Sequence, residues 1–297
     1  MNGRQHLAIG VADIISPSYF PVIAASGLGL FADQGLDVRI ELAYPLADAM
    51  SALRAGELDY VAGAAHGPLY DPAGFTDCRL VCALAHGMYW FLVLRADLAG
   101  ERGDLHALRG RRIGAAPGPR EGLKAMLLDV DSVLARDVDL VAVPGSGPSV
   151  SFGLSAADAL ARGEIDGFWA NGMGAAIATA DRTGRVVLDA RRDLVNGRDP
   201  AYTFAALIAA RSTPASAAAT EAPRVRAAVV AAQDALRRDP GLAARAARGW
   251  FPPREQELIS ELVARDSDYY HAIITAPMTR AIATVGRLTG LPGVASG

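Results

Sequence analysis

The run Leu36-Asp37-Val38-Arg39-Ile40-Glu41-Leu42 alternates apolar and charged residues along its whole length. Side chains alternate across a strand with period two, so this run predicts a strand with one buried and one wet face. Other runs are apolar almost throughout: Leu7–Val11, Leu58–Ala62, Leu80–Ala85, Tyr89–Leu94, Ile113–Ala116, Val138–Val143, Ile165–Ala170, Val186–Leu188 and Tyr202–Ala209. Short and bounded by turn residues, they predict buried strands. Helical patterns fall between them over Phe20–Gln34, Leu46–Ala55, Arg120–Ala135 and Ala156–Arg162. Such alternation argues for an α/β chain with parallel sheets and helices on both faces. From Pro214 the pattern turns almost wholly helical, with Ala222–Arg238, a helix started by Asp239-Pro240, and Glu255–Ile274. In the last of these, Leu258, Ile259, Leu262, Tyr269 and Ile273 share one face. Ser212–Ala219 reads as a turn with loose helical tendency.

One helix-to-strand phrase occurs twice, as Ala52-Leu53-Arg54-Ala55-Gly56-Glu57-Leu58-Asp59-Tyr60 and as Ala159-Leu160-Ala161-Arg162-Gly163-Glu164-Ile165-Asp166-Gly167. Each glycine suits the left-handed residue that closes a helix, and the next apolar residue turns inward to begin a strand. The acidic pair is expected to stay solvated at the turn. A single copy would be a common αβ turn; two copies in the same order of elements suggest two similar α/β lobes.

Composition narrows the class. A length of 297 residues favours two lobes, and 51% hydrophobic residues supply ample core. Net charge is −3 with Arg and Asp/Glu intermixed, so the chain carries no electrostatic footprint for nucleic acid. Cys78 and Cys82 sit near an apolar run and read as buried thiols, not as a metal or disulfide pair. Neither an 18-residue apolar run nor a signal-peptide pattern after Met1 is visible, which predicts a chain that does not span the membrane and carries no export signal of its own.

The run Phe20-Pro21-Val22-Ile23-Ala24-Ala25-Ser26-Gly27-Leu28-Gly29-Leu30-Phe31-Ala32-Asp33-Gln34-Gly35-Leu36-Asp37-Val38 resembles the first helix and second strand of nitrate/sulfonate/taurine-type solute-binding proteins of ABC transporters. The thiamine-pyrimidine-synthase-like proteins belong to the same superfamily. The doubled phrase, Leu108-Arg109-Gly110-Arg111-Arg112-Ile113-Gly114, Ala231-Ala232-Gln233-Asp234-Ala235-Leu236 and Trp250 follow in that family's order. The resemblance implies a two-lobed type II periplasmic-binding-protein fold with mixed sheets and helices on both faces. Lobe one would comprise residues 1–94 and 203–297, the latter its helical C-terminal part, and lobe two residues 95–202. The crossing segments would lie near 91–95 and 202–206. A small-molecule ligand, with an ABC permease as partner, follows from the same likeness. So does a location that depends on the true N-terminus: periplasmic with an export signal outside this sequence, cytoplasmic if Met1 is the native start.

Four loops follow strands or precede helices as an interlobe cleft requires. Ser16, Ser18 and Tyr19 precede a helix, where free N–H groups and hydroxyls suit an anion or carbonyl, or form an ordinary cap. His66 follows the strand after the first repeat and either donates to a ligand or is a satisfied loop histidine. Gly118 and Arg120 stand where the family places a small hydroxyl-bearing loop, a departure that weakens any transfer of a sulfonate ligand. Arg120 would grip an anion bidentately or form a surface ion pair. Trp169 and Asn171 follow the second repeat, offering a flat wall and a donor–acceptor amide. Tyr89 and Trp90, with Met88, would make the opposite wall.

No G-x-S-x-G elbow, P-loop, H-E-x-x-H or G-x-G-x-x-G fingerprint occurs. Gly145-Ser146-Gly147-Pro148-Ser149 resembles a phosphate loop in composition alone, because it lacks the lysine. The five histidines lack metal-ligand spacing, and the cysteine-rich motif of the thiamine-pyrimidine branch is missing. With these motifs absent, what the resemblance implies is a solute-binding protein of an ABC-type uptake system that would close on a sulfonate, carboxylate or aromatic acid, without cofactor or metal. The alternative is a cytosolic enzyme or ligand sensor on the same scaffold, acting on a pyrimidine or aromatic acid.

Overall fold

The computed structural model describes residues 5–145, 151–211, 215–251 and 253–294. Most of the phosphate-loop-like run, Ser146–Ser149, and the turn residues 212–214 lie outside the described residues.

The strands are β1 (Gln5–Val11), β2 (Leu36–Leu42), β3 (Tyr60–Ala64), β4 (Cys78–Ala85) and β5 (Phe91–Arg95). They continue as β6 (Arg112–Ala115), β7 (Asp139–Val141), β8 (Gly167–Ala170), β9 (Gly184–Asp189) and β10 (Ala205–Ala210). Helices are α1 (Phe20–Gly27), α2 (Leu30–Asp33), α3 (Leu46–Ala55), α4 (Pro119–Val130), α5 (Leu134–Asp137) and α6 (Phe152–Ala161). The remainder are α7 (Gly172–Ala180), α8 (Ala215–Arg238), α9 (Leu242–Ala246), α10 (Pro253–Asp266) and α11 (Ala276–Thr289).

Two sheets result, ordered β2-β1-β3-β10-β4 and β7-β6-β8-β5-β9. The orders correspond strand for strand. In each, three strands of local βα units run parallel, and a strand arriving from the other part of the chain pairs antiparallel. The sheets are therefore mixed, where alternation alone implied parallel ones. The chain passes between the sheets twice, from β4 into β5 and from β9 into β10. The architecture is two-lobed α/β.

The doubled phrase carries equivalent bonds in both sheets. Gly56 and Gly163 adopt φ +76° and +71°. The N–H groups of Glu57 and Glu164 reach back to the carbonyls of Ala52 and Ala159, each at 3.0 Å. The aspartates do more than stay solvated. Asp59 accepts from the Ala8 N–H at 2.7 Å, and Asp166 from the Arg112 N–H at 2.9 Å. Each ties the incoming strand to its parallel neighbour through a backbone donor the ladder leaves free.

The core follows the hydrophobic pattern. Ile9, Val11, Phe20, Ile23 and Leu207 are buried between the first sheet and α1 and α8, with Leu53, Val61 and Ile208 on its opposite face. Leu160, Phe168 and Ala178 pack the second sheet. At roughly 1.5–3 kcal/mol for each large side chain buried, this packing outweighs any single polar contact. Cys78 and Cys82 are free and buried, and burial pushes their thiols up to about 11 and about 12.

Several element bounds differ from expectation. The helix expected over Phe20–Gln34 breaks at Gly29, whose φ of +79° no helix interior accepts. The helix expected over Arg120–Ala135 stops at Val130, where the Asp131 carboxylate accepts from Val133 and Leu134 and starts α5. The strand expected from Tyr202 begins at Ala205. Glu255–Ile274 is helical only to Asp266; Tyr269 closes a 3₁₀ turn and Ile273 is exposed on an extended segment. Helix α7 was not anticipated, because its glycine- and alanine-rich sequence shows no polar face. Ala215–Ala219, expected as loose helix, begins α8.

Candidate ligand-binding cleft

The carboxyl ends of the parallel strands in both sheets open onto one cleft. From β1 come Ala12 and Asp13, from β6 Ala116 and Pro117, and from β8 Ala170 and Asn171. Helix starts close the other sides, with Tyr19 before α1, Leu46 opening α3, Ser151 before α6, and Asn171 before α7. The space amounts to about 580 Å³ with its open mouth included. Leu42, Leu46, Trp90, Pro117, Pro119 and Phe152 form apolar walls, while Asp13, Ser16, Tyr19, Ser151 and Asn171 supply the polar groups.

Asp13 is the centre of the polar set. Its carboxylate accepts from Asn171 Nδ2 and, at 3.3 Å, from Ser151 Oγ. Asn171 cannot turn around, because its Oδ1 accepts from the Met173 N–H at 2.9 Å and caps α7. The amide must therefore present its donors to Asp13. Burial among the apolar walls outweighs these bonds and pushes the Asp13 carboxyl up to about 6. The Tyr19 and Tyr44 phenols rise as well, through burial first and then the Asp13 charge.

The residues nominated from sequence divide into three groups. Ser16, Tyr19, Trp90 and Asn171 line the cleft together. Ser18 and Tyr89 line a smaller recess beside it, shared with Ser16, Tyr19, Trp90 and Met88. Ser18 Oγ accepts from Arg191 Nη2 at 3.5 Å. Tyr89 accepts from Arg265 Nη2 at 3.1 Å, and the Arg191 guanidinium lies 4.5 Å from its ring centre. Arg191 itself is wholly buried against Asp266, which Arg192 and Arg265 also engage. These arginines thus hold Tyr89 and bind the C-terminal helices to the loop after β9.

The third group lies off the cleft surface. Trp169 is fully buried, donates from Nε1 to the Pro119 carbonyl at 2.9 Å, and packs against Trp90 with ring centres 6.0 Å apart. His66 is also fully buried; Nδ1 meets Thr203 Oγ1 at 3.0 Å while Nε2 has no hydrogen-bond partner among the described residues. Burial holds its imidazole down to about 4. Gly118, at φ +100°, donates to Glu121 at 2.8 Å and lies against Leu46 of the other sheet's α3. Arg120 is exposed and lines a separate outer groove with Lys124, Thr289 and Leu291.

Sequence reasoning missed Asp13, Leu46, Ser151 and Phe152. The available signal for Asp13 was its position closing the first strand, where open α/β sheets bind ligands. Among the described residues no cluster of His, Cys, Asp or Glu could hold a metal ion. No described helix is long and apolar enough to cross a membrane.

No protein-family model matches the chain, and no curated protein does. Solved structures do match. The alkanesulfonate-binding protein SsuA from Xanthomonas axonopodis pv. citri, bound to MOPS, aligns with TM-score 0.70 and 17% identity over 100% of this chain and 96% of that one. The periplasmic aliphatic sulphonate binding protein SsuA from Escherichia coli aligns with TM-score 0.69 and 14% identity, over 98% and 96%. A DSZB mutant in complex with biphenyl-2-sulfinic acid aligns with TM-score 0.64 and 15% identity, over 98% and 93%. At these identities the likeness establishes the fold.

Proposed function

We propose that this chain is the solute-binding component of an ABC-type uptake system, closing two lobes on one small organic molecule. The observation that carries this reading is the cleft into which both sheets direct strand ends and helix starts. The lobes, expected as 1–94 with 203–297 and 95–202, are taken here as 1–90 with 203–297 and 91–202, because β5 pairs with β8 and β9 of the second sheet. The two crossings, one entering β5 and one leading from Tyr202 into β10, act as the hinge, and an ABC permease is the partner. Support also comes from the sulfonate-binding proteins that share the fold over their full length.

The walls favour a ligand with a planar or apolar body, lying between Trp90, Phe152 and Leu46. A thermal-shift screen of sulfonates, carboxylates, pyrimidines and aromatic acids tests the reading. A ligand at a hundred times its Kd adds about 2.7 kcal/mol to apparent stability, a clear rise in Tm. Small-angle scattering should show the radius of gyration falling with the same ligand. A second reading, an enzyme on this scaffold, draws on Asp13, whose carboxyl near 6 could exchange a proton close to neutral pH. Chromatography of each hit after incubation separates the two, since consumption of the hit would exclude pure binding.

A further inference from the structure

We infer that the cleft receives a nitrogen donor of its ligand, an amidine or amino-heterocycle, on the Asp13 carboxylate. The inference rests on the solute-binding reading and names the chemistry at one end of that ligand. Asp13 is the one charged side chain among the described residues lining the cleft. The cations that might have received an anion are directed elsewhere. Arg120 is exposed in the outer groove, and Arg191 is buried against Asp266 behind Ser18. An anion entering the cleft would therefore face a fixed carboxylate between apolar walls, where like charges repel most strongly.

A donor would complete what the fold has begun. A carboxylate offers about four acceptor sites. Asn171, Ser151 and the backbone at Ile15 supply its hydrogen bonds within the protein. Asn171 is fixed by the α7 cap, so the carboxylate is held in place before a ligand arrives. Two rotatable hydroxyls, Ser16 and Tyr19, stand beside it to follow either donors or acceptors on the ligand. A planar amidine or amino-heterocycle would set one N–H on the acceptor site that remains and fill a slot walled by Trp90 and Phe152 with its ring.

The titratable groups facing Asp13 are Tyr19 of the loop before α1 and Tyr44 of the segment after β2. Both are pushed upward and stay neutral through the range tested. Ser151 and Asn171 complete the surroundings without titrating. Asp13 thus governs the pH response of the cleft among the described residues.

The test uses the full chain with benzamidine, 2-aminopyrimidine, benzenesulfonate and benzoate, titrated calorimetrically from pH 8 to pH 5. Benzamidine should bind at pH 8 and weaken by about tenfold for each pH unit below about 6, as the carboxylate takes up a proton. Asp13→Asn should weaken benzamidine at least tenfold at pH 8 and flatten the pH response. Benzenesulfonate or benzoate binding more tightly than benzamidine at pH 8, with no change in Asp13→Asn, would leave solute binding intact and remove the donor inference. Benzamidine binding that ignores both pH and the substitution removes it too. If neither benzamidine nor 2-aminopyrimidine gives heat while a compound from the wider screen binds, the donor inference falls and solute binding stands; if nothing in the wider screen binds either, solute binding itself falls. Should Asp13→Asn fail to give a cooperative melt, the pH series on the unsubstituted chain decides alone.

Discussion

Burial lifts the Asp13 carboxyl from its ordinary 3.8 to about 6, so folding draws a proton onto it. Its contribution to stability is full below about pH 4 and is lost as pH rises through 6, a change on the order of 3 kcal/mol. His66 has the opposite sense. Burial lowers it from 6.5 to about 4, so its contribution is full above 6.5 and is lost as pH falls through 4, again by about 3 kcal/mol. The two nearly cancel between pH 4 and 6.5, with the half-buried His86 adding to the histidine side. Asp13→Asn should therefore expose the histidine term, with stability falling by about 2–3 kcal/mol from pH 6.5 to 4.5 in urea unfolding. His66→Gln should reverse the slope. A flat profile in both variants would mean that neither group titrates as its surroundings dictate. The sequence could single out His66 by its type and loop, but not that the loop folds inward under Thr203. Asp13 carries no such signal, because nothing local tells a solvated aspartate after a strand from one ringed by Asn171 and Ser151.

Among the elements, the clearest sequence signals are those whose information is local. The alternation of Leu36–Leu42 and the helix over Leu46–Ala55 have the expected bounds, since period and capping glycine both lie inside the segment. The bounds that moved depend on contacts across the chain. Helix α7 packs against α6 through backbone contact at Gly153 and Gly174, where an added Cβ would stand 2.5 Å from a carbonyl. A helix stabilised by close approach shows no amphipathic period. The doubled phrase permits a sharper test. Gly56 and Gly163 have positive φ and open space around the missing Cβ, so alanine there meets strain without a clash. Gly56→Ala and Gly163→Ala should each cost about 1–2 kcal/mol by equilibrium unfolding. Asp59→Ala and Asp166→Ala should each cost about 1.5–3 kcal/mol by removing the charged acceptor from one strand N–H. The prediction is one of matched pairs, and a large effect in only one copy would deny that the two turns are equivalent.

At the scale of the molecule, polar contacts bridge the two sheets of corresponding order, and the proposed closure would make and break them. Tyr70, at the end of the turn after β3, donates to Glu121 of α4 at 2.8 Å. Asp13 of the first sheet meets Asn171 and Ser151 of the second. The pairing of β5 and β10 with distant strands, which joins the lobes, leaves no local trace; order and repeat could imply a cleft, while its lining needed the assembled sheets. Removing Tyr70's hydroxyl isolates the closing contact without disturbing the ligand walls. Glu121 keeps its bond from Gly118, so Tyr70→Phe strands no buried charge. Losing one such hydrogen bond costs about 1 kcal/mol, or roughly fivefold in the ratio of closed to open forms. If ligand binds the closed form and the two forms are comparably populated before binding, the closed fraction falls from about one half to about one sixth, and the affinity by about threefold. Calorimetry with any ligand from the screen measures the first quantity, and scattering from the unliganded variant the second, as a larger radius of gyration. Both should move together. A variant with unchanged radius and unchanged affinity would place this contact outside the closing motion and leave Asp13, Asn171 and Ser151 as the bridge between lobes.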